Sequence, residues 1–258
     1  MPTVTLRAKA YNDSQLKLID KLLKSMLKGL KVKIEIRGVT SRAWVQANVS
    51  GEDERVALRY LADEAGLCPM RLECVENFST IKGRITSLNK SKIELYIDIG
   101  VFSPKIADAT VSLQRLQAQL ADGRKTALKK LAELFGFCEN LPLTVKIYDV
   151  DKENSRIEAM LSERQLTVYK SWTKSLLDRL IILGASFNEV TLALKHTRCN
   201  RDIVNIETLG LFEHALVCKL GTDAVGLIPR IGKNLRNASF STFNPRRIIE
   251  FLGDYLIR

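Results

Sequence analysis

The two histidines of the chain each lie near a cysteine, a residue combination that can bind zinc. They form the pairs His196-x-x-Cys199 and His214-x-x-x-Cys218, and four nitrogen and sulfur ligands suffice for a tetrahedral site. If residues 213–220 form a strand, His214 and Cys218 lie roughly 13 Å apart at about 3.3 Å per residue, too far for one ion. A helix would bring them together. We expect structural residues here and no bound metal.

Four acidic residues are the second set with possible catalytic chemistry. Glu139, Asp149, Asp151 and Glu153 would suit the carboxylate cluster of a metal-dependent nuclease. Three of them fall at a turn between predicted strands, where acidic residues are common, so the nuclease is a minor alternative. The sequence has no Walker lysine loop, dinucleotide fingerprint, nucleophile elbow or HExxH motif. We expect a protein that is not an enzyme and uses no cofactor.

The middle third of the chain has the alternation of β-strands. Apolar side chains occupy every second position of the run from Ile93 to Ile99, and Tyr96 lies among the polar positions between them. Other strands are predicted at residues 83–88, 109–113, 143–147 and 157–161, with a helical insertion at about 113–137 that breaks at Gly123. This order predicts a five-stranded β-barrel domain over residues 76–163.

Four segments of this region resemble a known RNA-binding module. They are Lys82-Gly83-Arg84-Ile85, Tyr96-Ile97-Asp98-Ile99-Gly100, the run Val145–Asp151 and the run Ile157–Ser162. They are similar to the S-one type OB fold, which is repeated in a large bacterial small-subunit ribosomal protein. The resemblance implies that Tyr96 matches the aromatic residue that faces RNA on the second strand.

The chain as a whole resembles an archaeal family of uncharacterised proteins. The similarity lies in the runs Arg201–Glu207 and Glu213–Ala224. It implies no established activity.

Residues 1–75 have the order strand, helix, strand, strand, helix, strand, which predicts a ferredoxin-like α+β domain with a last strand at Met70–Val75. If both helices cover one face of the sheet, the other face carries basic residues and one aromatic: Arg7, Lys9, Lys31, Lys33, Arg37 and Trp44. Such a face would stack a base and hold phosphates. The alternative is that Trp44 docks against a neighbouring domain.

Residues 164–258 predict a third, α+β domain. Its expected elements are a helix at about 163–180, a strand near 190–194, extended runs between 203 and 218, a helix at about 223–235 and a last helix begun by Asn244-Pro245. Cations cluster near the predicted helix starts: Arg230, Lys233, Arg236, Arg246 and Arg247. We interpret them as phosphate contacts, with solvated surface charge as the alternative.

Composition limits the class of protein and of partner. The 258 residues are 46% hydrophobic and carry a net charge of +11, which suits a globular protein that attracts polyanions. The three segments carry +4, +1 and +6 in chain order, so long-range attraction would come from the flanks. Five cysteines without framework spacing indicate free thiols. With no expected membrane span or secretory signal, we expect a cytoplasmic protein.

Together these patterns predict a non-catalytic RNA-binding protein associated with the ribosome or with translation. Its partner would be structured, ribosomal RNA or a ribosomal subunit, and protein components of the same assembly are possible partners. The expected local contacts are Tyr96, Arg84 and Trp44, and the expected phosphate contacts are Lys33, Arg37, Arg230, Lys233, Arg246 and Arg247. The alternative function is a protein-interaction scaffold or accessory subunit of a transcription or RNA-processing complex.

Overall fold

The computed structural model describes residues 2–253 and has a mixed α+β architecture. The chain divides into two compact units. One contains the residues up to Val75 together with Ile99–Ala107, and the other contains Glu76–Asp98 and the chain from Asp108 onward. Within residues 2–253, no helix has both the length and the apolar character needed to cross a lipid bilayer.

The first unit begins with a three-stranded antiparallel sheet and two helices. These are β1 (Thr3–Lys9), α1 (Asp13–Met26), β2 (Val32–Val39), β3 (Trp44–Gly51) and α2 (Glu54–Glu64). The strand order is β1-β3-β2. The side chain of Asn12 accepts a hydrogen bond from the Gln15 backbone N–H and begins α1.

The predicted strand Met70–Val75 is wrong for most of its length. Only Met70 and Arg71 are extended, as β4, and they pair in parallel with residues 101 and 103. Leu72–Cys74 is a 3₁₀ helix, in which positions three apart align, so Leu72 and Val75 are both buried. Leu67, just before β4, forms an isolated β-bridge with Leu6 of β1.

A closed barrel, which the sequence predicts, is formed mostly by residues of the second unit. Its strands are β5 (Thr80–Thr86), β6 (Glu94–Ser103), β7 (Ala107–Ser112), β8 (Pro142–Asp151) and β9 (Arg156–Leu161). They lie in the order β6-β5-β8-β9-β7, and β7 pairs with β6 to close the cylinder. Leu95 and Ile97 point inward and are fully buried, but Ile93 precedes the strand and is exposed.

Two helices connect β7 to β8. They are α3 (Leu113–Leu120) and α4 (Leu128–Phe135), and Gly123, the predicted break, lies between them with a positive φ of 76°. Ser112 caps α3 because its side chain accepts a backbone hydrogen bond from the first turn. Ala127 precedes α4 and has no side-chain acceptor for the N–H groups of that helix's first turn.

The remaining elements form a helix followed by a four-stranded antiparallel sheet with its own helices. They are α5 (Glu163–Lys174), β10 (Arg179–Leu183), α6 (Phe187–His196), β11 (Ile203–Thr208), β12 (Glu213–Cys218), α7 (Ala224–Ile231), β13 (Ser239–Phe243) and α8 (Pro245–Leu252). The strand order is β11-β12-β10-β13. The helix begun by Asn244-Pro245 is as predicted, and Asn244 caps it.

The strand predicted near residues 190–194 is wrong, because this segment is part of α6. Ser186 and Glu189 form a complete capping box that begins the helix. Val190, Ala193 and Leu194 then fall on one helical face and are buried. The first strand of this sheet is instead β10, at the end of the segment for which a helix was expected.

One face of this sheet packs against the barrel's helical insertion. Gly136, which ends α4 with a φ of 69°, lies so close to the sheet that a Cβ atom on it would be 2.9 Å from the Thr242 carbonyl oxygen. The Ser241 hydroxyl donates a hydrogen bond to the Gly136 carbonyl oxygen at 3.0 Å. Five aromatic side chains fill the contact: Phe135, Phe137, Tyr169, Trp172 and Phe243. This face of the sheet is therefore part of the core.

Candidate nucleic-acid interface

Tyr96 lies on the outer face of the barrel, where the sequence places it. Its neighbours on β6, Leu95 and Ile97, point inward, so the tyrosine points outward. The phenol donates a hydrogen bond to the Glu94 carboxylate at 2.8 Å, and the Lys90 ammonium lies 4.7 Å from the ring centroid. The hydrogen bond to Glu94 and, to a smaller extent, desolvation raise the pKa of Tyr96 above its ordinary value. The phenol is therefore neutral at physiological pH.

A second tyrosine, Tyr148, is exposed and is joined to the half-buried Tyr96 by a chain of charged side chains. Tyr148 lies at a bulge of β8, where the pairing register with β9 shifts, and it is 47% exposed. The guanidinium of Arg115 on α3 lies 3.9 Å from its ring centroid. Ion pairs then run from Arg115 to Glu158, from Glu158 to Arg156 and from Arg156 to Glu94, with distances of 3.4–3.6 Å.

We call this connected set the barrel array. Its members are Lys90, Glu94, Tyr96, Arg115, Tyr148, Arg156 and Glu158. Sequence reasoning found only Tyr96. Lys90 and Glu94 are near Tyr96 in the chain, but the other members are far from it. The alternation of Tyr148 with the buried Ile147 was a signal that could have indicated a second outward aromatic residue.

The array holds three cations and two carboxylates and is therefore slightly positive. Its ion pairs are partly exposed, and exposed pairs contribute only about 0–1 kcal/mol each. The arginines can consequently exchange a carboxylate for another anion at little cost. Nη1 of Arg115 is buried and has no hydrogen-bond partner within residues 2–253, so the exchange concerns the side of the guanidinium that faces Glu158.

The structure places Arg84 away from the surface, contrary to the expected RNA contact. Its guanidinium forms an ion pair of 2.8 Å with Glu213 on β12, and the two side chains are only 4% and 1% exposed. Arg84 Nη1 also lies 3.4 Å from the Asn140 carbonyl oxygen. The reason is tertiary: the sheet that contains β12 covers this part of β5. Arg84 thus holds two parts of the second unit together.

Trp44 is likewise buried. The expectation that Trp44 and Lys9 lie on an exposed, RNA-binding sheet face of the first unit is therefore wrong. The indole is 1% exposed, and the Lys9 ammonium lies 4.8 Å from its centroid with Lys9 itself 4% exposed. Lys33 and Arg37 on β2 remain exposed. The pKa of Lys33 is raised because its ammonium donates a hydrogen bond to Glu35.

The cations predicted near the end of the chain are exposed on α7, on the turn that follows it and on α8. Arg230 forms an ion pair with Asp202 at 3.1 Å, while Lys233, Arg246 and Arg247 are exposed. Arg246 lines a polar cleft of about 240 Å³ that also contains Asp178 and Asp223. Phosphate binding by these residues stays a prediction.

The histidines, cysteines and carboxylates singled out in the sequence do not form a common site. Within residues 2–253, no group of three or more His, Cys, Asp and Glu side chains is arranged to hold a metal ion. Cys199, His214 and Cys218 are buried, and His196 is exposed at the end of α6.

Two of the carboxylates considered for a nuclease hold turns instead. Glu139 accepts hydrogen bonds from the backbone N–H groups of Ser87 and Leu88. Asp151 accepts from the backbone and side-chain N–H groups of Asn154, which lower its pKa.

Comparison with protein families identifies the chain at the level of its family. Three successive models match it: the DUF2110 N-terminal domain at residues 3–69, the DUF2110 central domain at 75–173 and the DUF2110 C-terminal domain at 177–243. The chain belongs to the DUF2110 family. No curated protein matches this DUF2110 chain.

Two solved structures are similar to the DUF2110 chain at low identity. One is the a/eIF2alpha-aDim2p-rRNA complex from Pyrococcus horikoshii OT3, with 11% identity over 48% of this chain and a TM-score of 0.26. The chain spans only 64% of the length of that matched protein. The other is the intact alpha subunit of aIF2 from Pyrococcus abyssi, with 9% identity over 66% of this chain and 97% of that chain, and a TM-score of 0.27.

The buried His214 gives the DUF2110 chain an acid-dependent stability. Burial lowers the pKa of His214, and the charge of Glu213 and the Ala185 backbone oppose this shift only in part. The unfolded chain therefore binds more protons below about pH 6.5. We expect the free energy of unfolding to fall as the pH decreases from about 6.5 towards the folded-state pKa of His214.

Urea unfolding at pH 7.5 and pH 5.5 measures this loss. His214→Phe should reduce it, whereas His196→Gln, a change at the exposed histidine, should leave it as in the wild type. An equal loss in the wild type and in His214→Phe would contradict the role of His214.

Proposed function

We propose that this protein binds RNA, without catalysing a reaction, through the outer face of its barrel. The observation that carries the proposal is the barrel array, in which Tyr96 and Tyr148 each present a ring next to a cation. Aromatic rings stack on unpaired bases of any sequence, and neighbouring cations hold the phosphates between them. Both requirements for single-strand recognition are therefore present on one face.

The strand order supports an OB fold for this barrel. Numbered within the barrel, β5 to β9 are strands one to five, and their cyclic order is 2-1-4-5-3 with strands three and five parallel. OB folds bind oligonucleotides on the face of strands two and three and on the loops between strands one and two and between strands four and five. Tyr96 is on strand two, Lys90 is in the first of these loops, and Arg156 directly follows the second.

The array supplies a simple binding mechanism. A base that stacks on Tyr96 replaces the Lys90 ammonium on the ring, and the lysine then meets the adjacent phosphate. Arg156 and Arg115 exchange their weak pairs with Glu158 for phosphate oxygens, which guanidinium groups bind well. The phenol of Tyr96 remains neutral and donates its hydrogen bond to Glu94, which fixes the ring.

We further propose that the bound strand is an unpaired part of a larger structured RNA, such as ribosomal RNA or a ribosomal subunit, and that the protein acts in translation in the cytoplasm. The support is electrostatic. The barrel segment is nearly neutral, whereas the flanking segments carry most of the net charge of +11. Exposed cations on β2, on α7 and the turn after it, and on α8 would attract the phosphates around that strand. They are Lys33, Arg37, Arg230, Lys233, Arg246 and Arg247.

Fluorescence anisotropy with a short, labelled, mixed-sequence single-stranded RNA tests the proposal. Tyr96→Ala and Tyr148→Ala should each weaken binding by about 1–3 kcal/mol per lost stack, which is roughly 5- to 150-fold. Tyr96→Phe keeps the ring and should retain most of the affinity. Tyr60→Ala removes an exposed tyrosine of α2 and is the matched control. Unchanged affinity in both barrel variants would overturn the proposal.

A protein-interaction scaffold is the second candidate, and the edge of the C-terminal sheet favours it. β11 is an edge strand, and Val204 on it is exposed. Edge strands of this kind accept a strand from another protein. Gel filtration with and without ribonuclease distinguishes the two functions, because a complex that survives digestion favours the scaffold.

A further inference from the structure

A groove lies beside the barrel array, between the β5–β6 hairpin and the start of α4. Its volume is about 380 Å³, within the range of pockets that hold small organic ligands. The hairpin contributes Leu88, Asn89, Ser91 and Lys92, and the helix contributes Ala127, Leu128, Lys129 and Ala132.

The groove combines an apolar surface with positive charge on both walls. Leu88, Leu128 and Ala132 line it with aliphatic carbon. Leu88 is half-buried and the other two are buried, so a base would lie mainly against Leu88. Lys92 lies on the hairpin wall and Lys129 on the helix wall, and both are exposed. A ligand with an apolar, planar body and a negatively charged backbone matches this distribution.

The hairpin connects the groove to the barrel array. Lys90, which lies over Tyr96, is two residues from Lys92 in the same hairpin. The hairpin is held in place because Glu139 accepts hydrogen bonds from the Ser87 and Leu88 N–H groups. The hairpin that carries Lys90 to Tyr96 therefore also forms one wall of the groove.

We propose that this groove binds a second, unstacked nucleobase of the RNA strand that stacks on Tyr96. Lys92 and Lys129 bind the phosphates on either side of that base, and the uncapped start of α4 adds positive partial charge. The side-chain amide of Asn89 is available to hydrogen-bond to the edge of the base. The inference rests on the proposed RNA-binding function and extends the bound strand beyond the tyrosines.

Binding of single-stranded RNA of increasing length, from one nucleotide upward, tests the inference. In the wild type we expect an increase in affinity at the length at which the strand reaches the groove. The double variant Lys92→Glu/Lys129→Glu should lose this increase, roughly tenfold or more for two reversed phosphate contacts. Its salt dependence should also fall by about 0.7 per lost phosphate contact.

Controls separate a local effect from a general loss of charge. Lys92→Arg/Lys129→Arg keeps both charges and should keep the increase. Lys130→Glu, together with Lys174→Glu, reverses two exposed lysines that do not line the groove and should leave the length at which affinity rises unchanged.

The outcomes distinguish this inference from the proposed function. If the RNA binds in a Tyr96-dependent way but the groove variant keeps the length-dependent increase, the groove assignment is wrong and the proposed function stands. If no RNA of any length binds the wild type, the proposed function fails and the groove assignment fails with it.

Discussion

Replacing Arg84 with Met lowers the free energy of unfolding by about 3–5 kcal/mol, the usual effect of removing one partner from a buried ion pair. The expected loss is large because Glu213 is almost completely buried and Arg84 lies 2.8 Å from its carboxylate. The site is also tightly enclosed. A side chain at Gly210 would collide with the Glu213 carboxylate, so only glycine leaves room for the ion pair at this position.

Urea unfolding of four proteins measures this effect. Arg84→Met should be strongly destabilised, whereas Arg84→Met/Glu213→Leu should recover most of the stability because no buried charge remains. Arg156→Met breaks an exposed pair with Glu94 and should change stability by less than about 1 kcal/mol. A single variant at Arg84 that is as stable as Arg156→Met would contradict the buried ion pair.

The second large effect is expected at Phe243 on β13. Its ring contacts Phe135 of the helical insertion and two aromatic rings of α5. Phe243→Ala should cost about 3–5 kcal/mol, as truncation of a buried phenylalanine does. The ring is fully buried and stacks on Tyr169 with centroids 6.1 Å apart and an interplanar angle of 15°. It also meets Trp172 edge-on at 5.1 Å, so truncation leaves a cavity lined by rings that cannot close it.

Thermal and urea unfolding check this value. Phe78→Ala is the matched control, because Phe78 is exposed and its truncation should change stability by about 0.5 kcal/mol or less. Phe243→Leu, which keeps most of the volume, should lie between the two. Equal stability of Phe243→Ala and Phe78→Ala would show that the sheet does not depend on this contact.

Both predictions depend on the burial of one face of the C-terminal sheet, which contains β10 to β13. Arg84 and Phe243 lie at two points of the same contact between this sheet and the rest of the second unit. Loss of either should therefore affect the C-terminal sheet and the barrel together. The proposed RNA-binding face lies elsewhere on the barrel, so its tyrosine variants should fold normally.

Local patterns in the sequence were sufficient to predict the barrel strands and Tyr96. The alternation from Leu95 to Ile97 depends only on the two-residue period of an extended chain, and it is maintained in the structure. The capping box at Ser186 and Glu189 was an equally local signal for α6. The predicted strand near residues 190–194 did not take this signal into account, and it was wrong because the segment continues α6.

By itself, the sequence determined where the barrel strands alternate, where the last helix begins and which aromatic residue faces outward on β6, because these properties depend on neighbours a few positions apart. Only the tertiary structure decided that Arg84 is buried, that Trp44 is covered, and that Tyr148, Arg115 and Arg156 join Tyr96 in one array. Glu213, the partner of Arg84, lies more than a hundred positions along the chain. Burial and pairing over such distances depend on how whole sheets dock, and no local pattern records that.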